Sequence, residues 1–283
     1  MEKKKKQPPK KQSPQKTIIH TCIDRPVTMM DAHTIMFHSI KHNKENNPAK
    51  PGTKTHELVT KFVAHPNHNF SPDEVSIMAS MAIITSTKWQ KGSTLTISFL
   101  DGSAKQKSMV KKMAGKWLPL IDLKFSYITS KKGMIRISFV ADAGSWSYIG
   151  TQCLSRPVNE PTMNFGWLRD NTADAEWERV VVHEFGHALG CIHEHQNPAG
   201  GINWNKTAVY KYYQGPPNNW SKAEVDSNLF QQYAASKTQF TKVDRSSIMM
   251  YPIPKEFLLS GDPVGWNLHL SPTDQSFIKT TYP

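Results

Sequence analysis

One short segment of the chain holds residue types that can bind a metal ion and activate water. The sequence HEFGHALGCIH starts at His183 and Glu184, continues through His187 and ends at His193. On a helix, His183 and His187 lie four residues apart on one face, so both imidazoles can reach one metal ion. Gly190 permits the left-handed turn that ends such a helix and brings His193 back as a third ligand. We therefore expect a metal site on these three histidines.

The composition of this site predicts catalysis rather than a structural role. Neutral imidazoles suit Zn²⁺, and three protein ligands leave a fourth position open to water. Glu184 lies next to the first ligand, where a carboxylate can serve as general base for that water. The alternative is an accidental match, since a lone HExxH occurs in many helices, but five fixed positions argue against it. The motif predicts a zinc hydrolase with one Zn²⁺ per chain.

Length and composition are those of a soluble globular protein. The 283 residues, 38% hydrophobic and 20% charged, suffice for one large domain or two small ones. No apolar run approaches the roughly 20 residues of a membrane span. No secretory signal is visible, because no apolar segment follows the N-terminal lysines. The compartment is left open between the cytoplasm and export by a route that the sequence does not declare.

The net charge of +12 is concentrated at one end of the chain. Residues 1–16 hold seven Lys and one Glu, which is half of the excess positive charge. Their richness in Lys, Pro and Gln predicts a disordered basic tail. Weak contact with nucleic acid or an acidic surface is the alternative. We favour a solvated tail without a specific partner.

The three cysteines argue against a disulfide framework. Cys22, Cys153 and Cys191 are an odd and low count, which fits a reducing compartment, although this count does not exclude one disulfide bridge. Cys191 occupies a variable position inside the zinc motif. We expect it to act as a small apolar side chain, since cysteine is often buried.

Residues 17–73 contain seven of the twelve histidines. A histidine-rich stretch can bind metal, but the spacings here are irregular, and only His38 and His42 are four residues apart. We favour scattered surface histidines over a second metal site. The Lys, Pro and Asn content suggests partial disorder, while Val59–Ala64 and Val75–Ile84 have enough apolar residues to pack somewhere.

Hydrophobic spacing indicates the elements around the motif. Alternating, β-branched segments predict strands, and apolar residues three or four apart predict helices. The zinc-binding helix is expected over Thr172–Gly190, with Asp174 and Glu176 in its first turn. The predicted strands are Ser93–Leu100, Leu123–Ile128, Met134–Val140 and Thr162–Leu168, and the other predicted helices are Ala104–Trp117, Lys206–Tyr213, Ser221–Tyr233 and one with Ser271 as its N-cap and Pro272 at its first position. This order predicts an α+β protein.

The segments around the motif resemble the astacins, a family of the metzincin superfamily of zinc endopeptidases. Ser247–Tyr251, SIMMY, is similar to the astacin Met-turn SxMxY, and Glu194 follows the third histidine as in that family. Gly144–Gly150, GSWSYIG, resembles the astacin segment GCWSYVG. Ile202–Trp204 and the Leu270-Ser271…Asp274 pattern are also similar. The resemblance covers about residues 80–283.

This resemblance implies a fold and a division of the chain. The implied fold is the metzincin-like zincin fold: an N-terminal twisted, mostly parallel sheet with a long zinc-binding helix, followed by a smaller, mainly helical C-terminal subdomain. The catalytic domain would span residues 80–283. Residues 17–79 would form an N-terminal extension that could be a prosegment, behind the tail of residues 1–16.

The chain also departs from the astacin pattern. Ser145 replaces the cysteine of the GCWSYVG segment, and no cysteine occurs near the C-terminus, although astacins usually hold two disulfides. The arginine-rich continuation after the third histidine becomes His195-Gln196-Asn197-Pro198, and no clear prosegment aspartate motif precedes the domain. The resemblance is therefore to a divergent, astacin-like enzyme.

The resemblance implies a zinc endopeptidase that acts on a protein or peptide substrate. Glu184 would be the general base, Tyr251 would support the oxyanion, and Met249 would form an apolar floor under the histidines. The alternative for Tyr251 is a packing role. Met134–Val140 resembles the upper-rim strand of the cleft, to which an extended substrate could add antiparallel. The residues of the substrate pockets are not identified.

Further expectations concern partners and rival functions. We expect a monomer without a membrane span or a nucleic-acid partner. One rival is a catalytically dead zinc module used for attachment, which the complete set of ligands and Glu184 disfavours. A second rival is a metallohydrolase that acts on something other than peptides.

The N-terminal extension could hold the enzyme latent. Metzincins are often inhibited by a preceding segment that gives the zinc a fourth ligand. Cys22 or Asp24 could do so chemically, because thiolate and carboxylate both bind zinc. The alternative, which the sequence favours, is that this stretch packs on the N-terminal half as a simple extension.

Overall fold

The computed structural model describes residues 19, 21–23, 25, 29–84, 86–141, 143–216, 218–232 and 242–283. The predicted basic tail, residues 1–16, and Asp24 lie outside these ranges, so the expectations for them stay predictions. Within the described ranges no helix is both long and apolar enough to cross a membrane.

The described strands form one sheet that is parallel except at one edge. They are β1 (Thr94–Phe99), β2 (Lys124–Tyr127), β3 (Ile135–Ser138), β4 (Ser145–Ser147) and β5 (Met163–Phe165). Their order is β2-β1-β3-β5-β4, and only the β4–β5 pair is antiparallel. The expectations of an α+β fold and of a mostly parallel sheet are confirmed.

The expectation that Met134–Val140 forms the rim of the cleft is wrong. This segment becomes β3, which lies between β1 and β5, and each of its four residues is buried. The antiparallel edge strand is β4, which the sequence does not predict as a strand. A segment of three residues is too short to show the two-residue alternation that marks a strand.

Two helices pack on the sheet and form the main core. α4 (Ala104–Ala114) is followed by a 3₁₀ turn, and α5 (Asp174–Ala188) carries the zinc motif. Trp117 and Trp177 are among the largest fully buried side chains of this core. The indole of Trp117 donates to the carbonyl of Val182 at 3.0 Å, which fixes α5 relative to α4. α5 is therefore a buried, rigid support for the motif.

The C-terminal end of α5 is tied to two distant parts of the chain. The indole of Trp89 donates to the carbonyl of Ala188 at 2.7 Å, and the hydroxyl of Tyr282 donates to the carbonyl of Leu189 at 2.8 Å. The amide of Trp89 donates in turn to the Tyr282 hydroxyl at 3.2 Å. These bonds satisfy carbonyls that the helix end leaves without intrahelical partners.

The regular elements described in the C-terminal half are helices, as expected, and long loops connect them. This half contains α6 (Lys206–Tyr213), α7 (Lys222–Val225) and α8 (Pro272–Thr281), and Ser271 caps α8 as the sequence predicts. The predicted helix Ser221–Tyr233 is confirmed as far as Phe230, because α7 continues into a π turn of helix, Asp226–Phe230, and the chain becomes extended at Gln231. Tyr233 lies outside the described residues. There the side chain of Asn228 donates to the carbonyl of Glu224 at 2.8 Å. Such a side-chain bond competes with the regular backbone pattern of a helix.

The expectation of partial disorder in residues 17–73 is wrong for residues 29–73, and residues 29–84 contain three helices. These are α1 (Met29–His42), α2 (Lys54–Ala64) and α3 (Pro72–Ile84). Their buried side chains form a separate cluster of Ala32, Met36, Ile40, Val59, Met78 and Ala82. The boundary drawn between residues 79 and 80 falls inside α3.

The helix α1 contacts residues of the predicted catalytic domain, residues 80–283, through polar side chains. The hydroxyls of Ser39 and Thr151 lie 2.7 Å apart, and Arg156 pairs with Asp31 at 2.8 Å. His42 stacks edge-on against Trp89, with ring centroids 5.0 Å apart. His42 is thus packed at this contact rather than scattered on the surface as expected.

Candidate metal centre

The three histidines of the motif converge on one point. His183 and His187 project from α5, and the chain turns at Gly190, which has a φ of +101°, to return His193. The Nε2 atoms lie 3.2 Å (183–187), 3.2 Å (183–193) and 3.0 Å (187–193) apart. A tetrahedral Zn²⁺ with Zn–N bonds of about 2.0–2.1 Å places its ligand nitrogens about 3.3 Å apart. The three nitrogens therefore fit a zinc ion.

The backbone fixes the orientation of two of these rings. Nδ1 of His183 lies 2.8 Å from the carbonyl of Ile248, and Nδ1 of His187 lies 2.8 Å from that of Cys191. A carbonyl only accepts, so each Nδ1 carries the proton and each Nε2 presents its lone pair inward. Such partners orient metal ligands and increase their basicity.

Burial favours the neutral form of the histidines at this site. Desolvation lowers the pKa of His183 well below its usual range, and the neighbouring histidines lower it further. Desolvation also lowers the pKa of His193, with His195 as the next cause. The neutral imidazole that results is the form that binds metal.

A cysteine and a carboxylate complete the group. The Sγ of Cys22 and one ring nitrogen each of His183, His187 and His193 all lie within 4.8 Å of one another. In the described part of the chain this is the one cluster of three or more such side chains close enough to share a metal ion, and His38 and His42 are not in it. The thiol of Cys22 also donates to Oε2 of Glu184 at 3.4 Å.

The segment around Cys22 lies along the edge of the sheet. Cys22 forms a parallel bridge with Ser145 of β4, and the amide of Ile23 donates to the Ser145 carbonyl at 3.0 Å. On the other side, the hydroxyl of Tyr251 donates to the carbonyl of Cys22. Of the two N-terminal candidates, the structure thus brings Cys22 to the histidines. No disulfide joins Cys22, Cys153 and Cys191.

The Met-turn is bonded to the segments that carry the histidine ligands. Met249 is buried, its amide donates to the hydroxyl of Ser247 at 3.0 Å, and its carbonyl accepts from the amide of Glu194 at 3.0 Å. The carboxylate of Asp274 accepts from the Ser247 hydroxyl at 2.6 Å and from the Ile248 amide at 2.8 Å. Since Ile248 binds His183, Asp274 connects the start of α8 to a zinc ligand.

Sequence reasoning missed the reason for a glycine within the motif. A Cβ at Gly186 would lie 2.4 Å from the Sδ of Met249 and 3.3 Å from Cζ2 of Trp117. Real Cβ atoms do not approach so closely, so Gly186 lets the Met-turn contact α5. No sequence signal marked this, because position 186 is a variable position of the motif.

The sequence also gave no sign of the residues that line the cleft next to Glu184. Trp167, Arg179 and Trp266 line a pocket that reaches His183 and Cys22. The guanidinium of Arg179 lies 4.2 Å from the Trp266 ring centroid and forms bonds of 2.6 and 2.8 Å to Glu176. These residues come from three separate segments that only the fold brings together.

Comparison with known proteins defines the class of this chain. A model of the metallo-peptidase family M12B, reprolysin-like, matches residues 134–253. This range includes the three histidines and the Met-turn. This segment is therefore similar to the metallopeptidase domain of that family. A search among curated proteins found no match.

Solved structures define the family more closely. One structure of myroilysin is 48% identical, with a TM-score of 0.69, and the match covers 71% of this chain and 97% of that one. A second myroilysin structure is 49% identical, with a TM-score of 0.56 and coverage of 70% and 86%. A hatching-enzyme zinc-protease from the medaka fish Oryzias latipes, 18% identical over 69% and 94%, has a TM-score of 0.49. The identity to myroilysin over nearly all of that chain, together with the metallopeptidase match, shows that this chain belongs to the metzincin-type zinc peptidases.

Proposed function

We propose that this chain is an astacin-like zinc endopeptidase in which Glu184 is the general base and one zinc ion is held per chain by His183, His187 and His193. The observation that carries this proposal is the convergence of three buried Nε2 atoms beside a buried carboxylate. The astacin-like assignment rests on the Met-turn and on the segments around it. The metal, when bound, activates a water molecule and polarises the scissile carbonyl.

The side chains around the metal would then have separate roles in peptide hydrolysis. Glu184 removes a proton from the attacking water and later delivers it to the leaving amine. Tyr251 donates a hydrogen bond to the oxygen that gains charge, as its hydroxyl does to the Cys22 carbonyl in the structure. Met249 supports the imidazoles by packing. The substrate's extended backbone pairs with the edge strand β4, since this edge already pairs with Ile23.

A substitution of Glu184 tests the proton transfer. Glu184→Gln keeps the shape and removes the base, so casein or gelatin cleavage should fall by about 10² to 10⁴ or more while zinc stays bound. Glu178→Gln, on the same helix but outside the ligand group, is the matched control and should keep its activity. Undiminished cleavage by Glu184→Gln would refute the mechanism.

The metal requirement separates this proposal from its rivals. A chelator should abolish cleavage and added Zn²⁺ should restore it, and His187→Ala should lose the zinc in metal analysis of the purified protein. A zinc-loaded protein that cleaves no peptide substrate would favour an attachment module or a hydrolase of another class. Full zinc content in His187→Ala would contradict the ligand assignment.

We further propose that Cys22 keeps the site latent by occupying the open zinc position. The support is the place of its Sγ among the three ligand nitrogens, together with the closure of the cleft by residues 21–23. These residues run parallel to β4. A substrate that pairs antiparallel would run in the opposite direction, so the blocking segment does not imitate a cleavable chain.

Single substitutions test latency better than truncation does. Removal of residues 1–73 should raise activity, but it also deletes the contacts that α1 makes with Thr151 and Arg156. Cys22→Ala leaves these contacts in place. If the blocked state outnumbers the open state 99 to 1, activity should rise by up to about 100-fold. Cys153→Ala, a buried cysteine outside the ligand group, is the control, and equal activity of both variants and the wild type would refute latency.

A further inference from the structure

The phenol ring of Tyr251 packs against a histidine that does not belong to the ligand group. The rings of His195 and Tyr251 have centroids 4.3 Å apart and planes inclined by 35°. The ring of His193 meets Tyr251 in an edge-on arrangement at 4.5 Å. His195 is only 4% exposed, so this contact lies in the dry interior. His195 therefore forms one wall of the space in which the phenol sits.

A different element of the C-terminal subdomain holds His195 in place. Its Nε2 lies 2.7 Å from the carbonyl of Asn228, and a carbonyl only accepts, so Nε2 carries a proton and donates it. Gln196 donates to the carbonyl of Ser227 at 2.9 Å, and Asn228 donates to that of Glu224 at 2.8 Å. All of these carbonyls belong to α7 and its π turn. The plane of the His195 ring is thus set by backbone outside the metal centre.

The hydroxyl of Tyr251 points at a peptide carbonyl inside the cleft. It donates to the carbonyl of Cys22, the residue whose Sγ lies among the ligand nitrogens. A substrate carbonyl that replaces Cys22 would meet the same donor. An oxyanion donor works only within about 2.7–3.1 Å of the charged oxygen, and a displacement of about 1 Å can cost about 10²-fold in rate. A small tilt of the phenol ring moves its hydroxyl by such an amount.

We propose that His195 is the positioning residue for Tyr251, which means that it acts on the reaction only by holding the phenol ring so that its hydroxyl meets the reacting carbonyl. This inference rests on the proposed role of Tyr251 in peptide hydrolysis. His195 is not a metal ligand, and although its ring also lies 5.2 Å from that of the ligand His193, centroid to centroid, the role proposed for it is its effect on Tyr251. Its contribution passes through the ring contact with Tyr251.

A double-mutant cycle tests this. The background is the full, zinc-loaded chain with Cys22→Ala, and kcat and KM are measured on a peptide substrate for Tyr251→Phe, His195→Ala and the two together. Tyr251→Phe should lower kcat by about 10²-fold, as for the loss of one oxyanion donor. His195→Ala should lower kcat about tenfold with KM within about twofold. In the Tyr251→Phe background, His195→Ala should change kcat by less than about twofold, because no hydroxyl remains to be positioned.

Two further variants separate positioning from stability. His195→Phe keeps a ring against Tyr251 and should retain kcat within about threefold, whereas His195→Leu should behave like His195→Ala and replaces it if that variant does not fold. Val209→Ala opens a cavity in the same apolar cluster as Tyr251 and should lower Tm without changing kcat by more than about twofold.

The possible outcomes differ for the inference and for the proposed function. An equal loss from His195→Ala with and without the Tyr251 hydroxyl would overturn the positioning role and leave the proposed function intact. If His195→Phe loses as much as His195→Ala, the ring contact is not the cause and the inference fails. If Tyr251→Phe alone leaves kcat unchanged, the assigned role of Tyr251 fails and the inference fails with it.

Discussion

Because Gly186 of α5 contacts the Met-turn, we expect alanine at position 186 to destabilise the protein, although alanine is the best helix former. Ordinary contacts between non-bonded heavy atoms lie at about 3.5–4.0 Å. A Cβ at position 186 would lie 2.4 Å from the sulfur of Met249, so that atom would have to move by about 1 Å. Met249 is only 3% exposed and packs in the main core. The sulfur cannot move away without displacing its neighbours.

The magnitudes decide the sign of the effect. Overpacking a core costs about 1–3 kcal/mol, while replacing glycine by alanine inside a helix gains up to about 1 kcal/mol. We therefore expect Gly186→Ala to lower the free energy of unfolding by about 1 kcal/mol. Because Met249 supports the ligands, we also expect faster loss of zinc to a chelator. Urea unfolding of the zinc-loaded protein measures the first effect, and chelator kinetics measure the second.

A matched glycine and a compensating change make this prediction sharp. Gly115, at the end of α4, has helical dihedral angles and no atom within 4 Å of a Cβ, so Gly115→Ala should be neutral or stabilising. In a Met249→Ala background the clash is absent, and Gly186→Ala should then stabilise by up to about 1 kcal/mol, a coupling of about 2 kcal/mol. If Gly186→Ala stabilises the protein as much as Gly115→Ala does, the steric argument is refuted.

Two other predictions concern the supports of the site. Asp274→Asn should destabilise the Met-turn by about 1–3 kcal/mol, since it removes a buried charged acceptor for Ser247 and Ile248; an unchanged urea midpoint would contradict this. Burial lowers the pKa of His42 below its usual 6.5, so the unfolded chain binds more protons there and stability is lost as the pH falls below about 6.5. His42→Phe keeps the contact with Trp89, and its unfolding free energy should fall less between pH 7 and pH 5; an equal fall in both proteins would refute the role of His42.

The site was largely predictable because its residues are close together in sequence. The spacing of His183, His187 and His193 fixes their geometry once a helix and a turn at Gly190 are assumed, and the structure has both. The cap at Ser271 was equally local and therefore visible. Local rules suffice where a few consecutive residues decide the backbone.

The features that were missed depend on distant parts of the chain. The edge strand β4 exists because β5 pairs with it, and three residues show no pattern of their own. The pocket around Arg179 and Trp266 joins residues 87 positions apart, as the numbering shows. In α1, by contrast, the apolar spacing of Ala32, Met36 and Ile40 was present in the sequence. Partial disorder was nevertheless predicted for this segment, because the sequence around it is rich in turn-forming residues and histidines.

The ties at the end of the zinc-binding helix have a consequence for biosynthesis. Trp89 and Tyr282 hold the carbonyls of Ala188 and Leu189, and Tyr282 is bonded to Trp89 across 193 positions. Contacts of such sequence separation form late, because a long loop must close before they contribute. The ribosome releases Tyr282 long after the histidines, so the helix end acquires its last partners only then. During translation the emerging chain therefore lacks a fully ordered hydrolytic centre until the segment around Tyr282 has been made.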